Sequence, residues 1–118
     1  MDNNIKDRWV ADLRSGKRTQ GRGELVRRMP DGTVCHCVTG VLCEQAVEAG
    51  VIDAAVESRG RMAYGAAEMV MPDAVIDWAE MDDFDPEVKY QGCWRRLVSL
   101  NDQGVPFDVL ATLIEEQL

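Results

Sequence analysis

The chain has 118 residues, 46% apolar and 29% charged, enough for one core and too short to split comfortably, so a single domain over residues 1–118 is expected. A net charge of −8 argues against general nucleic-acid binding, which draws its affinity from a basic footprint. No apolar run approaches the roughly 20 residues needed to cross a bilayer, and the N-terminal MDNNIKDRW has neither a basic nor an apolar signal region, so a soluble protein working in a reducing cytoplasm, with no membrane contact, is expected.

In chain order, Ile5, Trp9, Val10 and Leu13 recur at helical spacing, predicting a helix over 5–15 with Asn4 as its cap and Gly16 just past its end. The following GKRTQGRG combines three glycines with three basic residues and reads as a loop. Leu25 to Met29 and Thr33 to Cys37 form a hairpin around Pro30-Asp31-Gly32. That hairpin runs into a helix carrying Val38, Val41, Leu42, Ala46 and Ala49 on one face and ended by Gly50. Residues 51–70 are read as a weaker second hairpin turning at Ser58-Arg59-Gly60, and Pro72 opens a short helix.

Met81 to Asp85 reads as an acidic loop. Asp85-Pro86-Glu87 then has the form of a helix start, and Tyr90, Trp94, Leu97 and Val98 fall on one helical stripe. Asn101-Asp102-Gln103-Gly104 breaks the chain, and Pro106 starts a last helix through Phe107, Leu110, Ala111, Ile114 and Leu118. The reading is an α+β domain: an N-terminal helix, a β-hairpin leading into a central helix, a second hairpin, and a C-terminal helical pair.

The blocks Trp9-x-x-x-Leu13-Arg14-Ser15-Gly16, Gln20-Gly21-x-Gly23-x-Leu25, Gly40-Val41-Leu42-Cys43, and Leu100-Asn101-Asp102-x-Gly104-x-x-Phe107 with Ile114-Glu115 span nearly the whole chain. In them the sequence resembles a family of small bacteriophage and prophage proteins that carries no assigned activity or catalytic residue. The resemblance implies a phage accessory gene. The chain departs from the pattern at His36-Cys37-Val38-Thr39, where adjacent cysteines are frequent, and at Pro106, where a small polar residue is usual.

Charge is unevenly spread: residues 1–61 hold ten Lys/Arg against nine Asp/Glu, and residues 62–118 hold three against twelve. Arg14, Lys17, Arg18, Arg22, Arg27 and Arg28 are opposed locally only by Glu24, so a phosphate-binding site is assigned to these six residues. The competing reading is a solvated basic loop, since the G-x-x-x-x-G-K-[ST] order of a P-loop is absent.

Cys35, His36, Cys37 and Cys43, with distant Cys93, are weighed as zinc ligands, but the spacing lacks paired C-x2-C knuckles and buried core thiols are the better reading. Cys37, at the start of the central helix, is the best candidate for a reactive thiol. Asp82, Asp83 and Asp85 lack the glycine and terminal glutamate of a calcium loop. Trp78, Tyr90 and Trp94 are assigned to the core on their helical spacing.

No cofactor is expected. The leading functional expectation is a non-enzymatic phage accessory protein in the host cytoplasm that counters host defence by sequestering a phosphate-bearing nucleotide signal. The alternatives are a protein-binding inhibitor of a host enzyme or nucleic-acid-binding protein, with the acidic half meeting a basic surface, and a small metal- or thiol-dependent enzyme. A homo-oligomer is compatible with any of the three.

Overall fold

The computed structural model describes residues 1–118. Helix α1 spans Asn3–Arg14, with Ile5, Trp9, Val10 and Leu13 buried as their spacing predicts. Its cap is Asp2 rather than Asn4: the Asp2 carboxylate accepts from the Ile5 N–H at 2.9 Å, satisfying a donor of the first turn. Three short strands follow, β1 (Thr19–Gln20), β2 (Val26–Arg28) and β3 (Val34–His36), in the order β1-β3-β2. The glycine-rich segment read as a loop therefore contains a two-residue edge strand, laid parallel to β3 with Thr19 opposite Cys35 and Gln20 opposite His36. β2 and β3 pair antiparallel as the predicted hairpin.

β3 delivers the chain to helix α2 (Val38–Glu48). This helix is central: Val38, Val41, Leu42, Cys43 and Ala46 are fully or almost fully buried. At Gly40 it lies directly on β2's approach, where a Cβ would fall 1.8 Å from the Leu25 carbonyl oxygen, so no side chain is tolerated at the crossing. Trp9 of α1 clamps the same helix, its buried indole N–H donating to the Val38 carbonyl at 2.9 Å.

The second hairpin forms as read, β4 (Val56–Ser58) against β5 (Arg61–Ala63), turning through Arg59 and Gly60 with positive φ at both. Helix α3 spans Asp73–Ala79 behind Pro72. The helix predicted from Asp85 is replaced by a third hairpin, β6 (Glu87–Tyr90) with β7 (Cys93–Arg96). The cause is the turn: Gln91 and Gly92 both take positive φ, the pattern of a type I′ turn, which ends any helix and sets two strands back to back. Trp94 is consequently 66% exposed, against the expectation of a core residue.

The helical pair that closes the chain is shorter than predicted at its first member, α4 (Leu97–Asp102), followed by α5 (Phe107–Gln117). Asp85 does cap a helix, but it caps α4 from across the hairpin, accepting from the Val98 N–H at 3.0 Å. α1, α2, α4 and α5 enclose one apolar core that includes Trp9, Leu42, Leu97, Leu100, Leu110 and Ile114. No helix is long and apolar enough to cross a membrane.

Overpacking a tight crossing costs about 1–3 kcal/mol and sometimes more. Gly40→Ala is therefore expected to lower stability by about 3 kcal/mol, read as a shifted midpoint in urea denaturation. An unchanged midpoint would contradict the close approach to Leu25.

Candidate functional site

The six basic residues assigned to phosphate binding separate into two groups once their partners are known. Arg14 bonds the Glu115 carboxylate at 2.9 Å and Thr112 on α5. Arg28 holds Glu57 at 2.8 Å, and Lys17 lies 3.9 Å from Asp12. Arg18 is the most embedded, 2.7 Å from Asp12 and within 3.7 Å of both Glu44 and Glu48. Burial works against its charge, but the Asp12 hydrogen bond and the three carboxylates outweigh it and hold its pKa above the ordinary arginine value. These four side chains are occupied with carboxylates of the same chain.

Arg22 and Arg27 are the remaining two, and neither has a carboxylate within 4.0 Å. Both line one cavity of about 230 Å³ together with Gln20, Gly21, Met29 and Cys35. Strand register explains the convergence. Arg27 and Cys35 are paired across β2 and β3 and so share the outer face of the sheet, while Val26 and His36 share the inner one. Gly21 donates its N–H to the His36 carbonyl just past the end of β1, and the next residue, Arg22, has left the strand and lines the same cavity. There Arg22 rests against Gly104, whose Cβ, if present, would sit 3.1 Å from the Arg22 Nη2. Another cavity, beside β4 and β5, contains Arg59 and Arg61, but Glu68 lies in it and pairs with Arg61.

The cysteines do not assemble a metal centre. Cys37 and Cys43 belong to the apolar core, Cys35 floors the arginine cavity, and Cys93 is exposed on β7. No group of three His, Cys, Asp or Glu side chains is placed to hold a metal ion. Cys37 does occupy the position immediately before α2, as the sequence suggested, with the Thr39 hydroxyl 3.3 Å from its sulfur. Burial nevertheless dominates and pushes its thiol pKa up, against the hydrogen bonds that would lower it. The Cys43 thiol is raised further still by burial. Neither is set up as a thiolate nucleophile.

A polar cluster that sequence spacing did not reveal lies beneath the sheet. Asp12, 5% exposed, takes Arg18 on one oxygen and the Gln45 side-chain amide on the other. The Tyr64 hydroxyl donates to Glu44 at 2.6 Å, and burial followed by that carboxylate pushes the phenol's pKa upward. His36, 7% exposed, stands with Nε2 3.9 Å from Glu44, beyond hydrogen-bond reach, and its Nδ1 is buried without a partner. Desolvation lowers the His36 pKa against the pull of Glu44, so the ring is neutral at pH 7 and the Glu44 contact is not an ion pair. None of these residues lines a cavity. Chemically the cluster ties α1, α2 and β5's end together rather than presenting groups to a ligand.

In the acidic loop Asp83 bonds Arg96 at 2.9 Å and Asp85 caps α4, so two of its carboxylates are engaged in holding the third hairpin and the helix after it. The signal that separates Arg27 from Arg28 is the strand alternation itself: Arg27 falls on the Cys35 side of the hairpin once the register is fixed by Pro30-Asp31-Gly32, whereas Arg22 lies outside the strands and carries no such signal.

Fold and site together define a small α+β domain whose polar residues are mostly spent on the fold, with one cavity lined by two unpaired arginines. The chain belongs to the family described as Domain of unknown function (DUF8296), whose model matches residues 1–118. No curated protein and no solved structure matches it.

His36 yields a pH test. Its folded pKa lies below its unfolded value near 6.5, so as pH falls through about 6.5 the unfolded chain takes up a proton that the folded chain resists, and stability is lost. Carboxylates such as Asp31, Asp83 and Glu115, whose pKa values are lowered, add their own losses only in the more acidic range. The melting temperature of the wild type is expected to drop between pH 7.5 and 5.5, and that drop should shrink in His36→Gln. Equal drops in both proteins would remove His36 as the source.

Proposed function

We propose that this protein acts by binding rather than by catalysis, and that the cavity between Arg22 and Arg27 receives the phosphate of a small nucleotide. The observation that carries this reading is that these two arginines alone, among six clustered basic residues, are left without a carboxylate and meet over one cavity. Two guanidinium groups offer forked donors matched to phosphate oxygens, and Gln20 adds a polar side chain to the lining. Cavities that enclose whole small-molecule ligands run about 300–1,000 Å³, so a space of about 230 Å³ suits a phosphate group, with sugar and base lying outside near Met29.

In this reading the protein is a phage accessory factor in the host cytoplasm that counters defence by holding a nucleotide signal. Support for the non-enzymatic part comes from the buried thiols and from the polar cluster, which is closed to any cavity.

The test is calorimetric titration with inorganic phosphate and a panel of linear and cyclic mono- and dinucleotides. At least one nucleotide should bind. Hydrogen bonds to charged groups are worth about 1.5–3 kcal/mol each, so Arg22→Ala and Arg27→Ala should each weaken binding by roughly tenfold or more. Arg28→Ala, which breaks the exposed Glu57 pair and a long 3.4 Å contact to the Gly32 carbonyl, should leave affinity nearly unchanged. Absence of heat across the panel, or equal effects of Arg27→Ala and Arg28→Ala, would rule the reading out.

A further inference from the structure

On the other side of Gly23 lies a second cleft of about 220 Å³, in which Gly23, Thr39, Val98, Asp85 and Asp102 meet Met69, Val70 and Phe84. Met69, Val70 and Phe84 are 62%, 49% and 49% exposed. They are three of the six large apolar side chains that the protein leaves in solvent, gathered at one opening. Asp85 and Asp102 accept backbone hydrogen bonds, from Val98 and Gly23 respectively, but neither carboxylate has a basic side chain within 4.0 Å. Asp83 and Glu87, by contrast, are both paired with Arg96. An apolar cleft with unpaired carboxylates is complementary to a group that is apolar and cationic at once.

We propose that this cleft docks a short basic segment of a partner protein, one apolar side chain entering between Met69 and Phe84 while a flanking Lys or Arg meets Asp85 and Asp102. Size favours a side chain over a free small molecule, because the cleft falls below the volume that encloses a drug-sized ligand. Charge excludes the two other large partners: nucleic-acid phosphates and anionic lipid surfaces are both repelled by these carboxylates. The surrounding half of the chain, with twelve Asp/Glu against three Lys/Arg over residues 62–118, draws a cationic segment toward the opening. Asp85 gains most from such a partner. Burial, with smaller contributions from the neighbouring Asp83 and Asp102, pushes its carboxyl pKa up against the Val98 hydrogen bond and the more distant charge of Arg96, and an incoming cation offsets the remaining penalty.

The experiment is selection of a surface-displayed random heptapeptide library on the wild-type protein, followed by fluorescence anisotropy of the enriched peptides. Enriched sequences should place Lys or Arg beside Leu, Met or Phe. Phe84→Ser and Met69→Ser remove exposed side chains and Asp102→Asn keeps the acceptor for Gly23, so circular dichroism should show all three folded. Each should weaken the selected peptides at least fivefold, with Asp108→Asn on α5 as the unaffected control. Four results would each overturn the proposal: no enrichment, an acidic or uncharged consensus, binding undiminished in Phe84→Ser, or sedimentation showing wild-type self-association that Phe84→Ser abolishes. The last would assign the cleft to a second copy. None of these variants touches Arg22 or Arg27, so failure here and failure of the nucleotide reading are separate outcomes.

Discussion

The fold hangs on the side chain of Asn101. It is fully buried, and an amide offers two donors and two lone pairs. All four are used. The oxygen accepts from the Gln20 amide at 2.9 Å and from the Val38 N–H at 3.1 Å, and the nitrogen donates to the Gly21 carbonyl at 2.9 Å and to Asp102 at 3.1 Å. Gln20 completes the knot by donating to the Val105 carbonyl and accepting from the Phe107 N–H. One residue of α4 thereby joins β1, the first turn of α2 and the entry to α5, elements up to 81 positions apart in the chain. Its oxygen is the acceptor for the orphan Val38 N–H at the start of α2, where Cys37 makes no side-chain cap. It also compensates for the brevity of β1: two residues make few ladder bonds, and the knot fixes what they leave loose. Both candidate surfaces border it, Gln20 and Gly21 on the arginine side and Gly23 and Asp102 on the acidic side.

Much of the architecture was legible because local chemistry and burial agreed. α1, the β2–β3 hairpin, α2 and α5 each combine an apolar periodicity with a turn or cap residue, and nothing in the tertiary structure overrides them. The third hairpin shows where this fails. Tyr90, Trp94, Leu97 and Val98 fit a helical stripe, and Asp85-Pro86-Glu87 has the form of a helix start, yet the residue that decides is Gly92. Arg59-Gly60 and Gln91-Gly92 carry the same turn geometry, but the first stands among alanines and methionines that fit either state, whereas the second lies within a stronger helical pattern that masks it. Asp85 illustrates a subtler limit. Its residue type and neighbours signal a cap, but a carboxylate can cap any helix that folding brings within reach, and here that is α4.

The site was less legible, because pairing of charges is a property of space rather than of sequence neighbourhood. Locally, only Glu24 opposed the basic cluster. In the fold, Arg14 meets Glu115, 101 positions away, and Arg28 meets Glu57, 29 away. Arg18 turns back to Asp12 in the preceding helix and across to Glu44 and Glu48 in α2. Counting charges in a window therefore overstated the free positive charge. The acidic cleft was invisible for the complementary reason: Gly23, Met69, Phe84 and Asp102 come from four segments with no shared periodicity.

These pairings give the protein's net charge of −8 a consequence for the two proposed contacts. Half of the ten arginines have their fields cancelled at close range by carboxylates, so the positive potential of the Arg22–Arg27 cavity extends little beyond it, while the unpaired carboxylates of residues 62–118 act over a Debye length of about 8 Å at physiological ionic strength. An anionic nucleotide must approach against the average field and be held by short, geometry-dependent hydrogen bonds. A cationic segment is drawn by that field before any contact forms. Salt therefore acts in opposite senses on the two approaches, easing the first and slowing the second, although both surfaces share the Asn101 knot as their foundation.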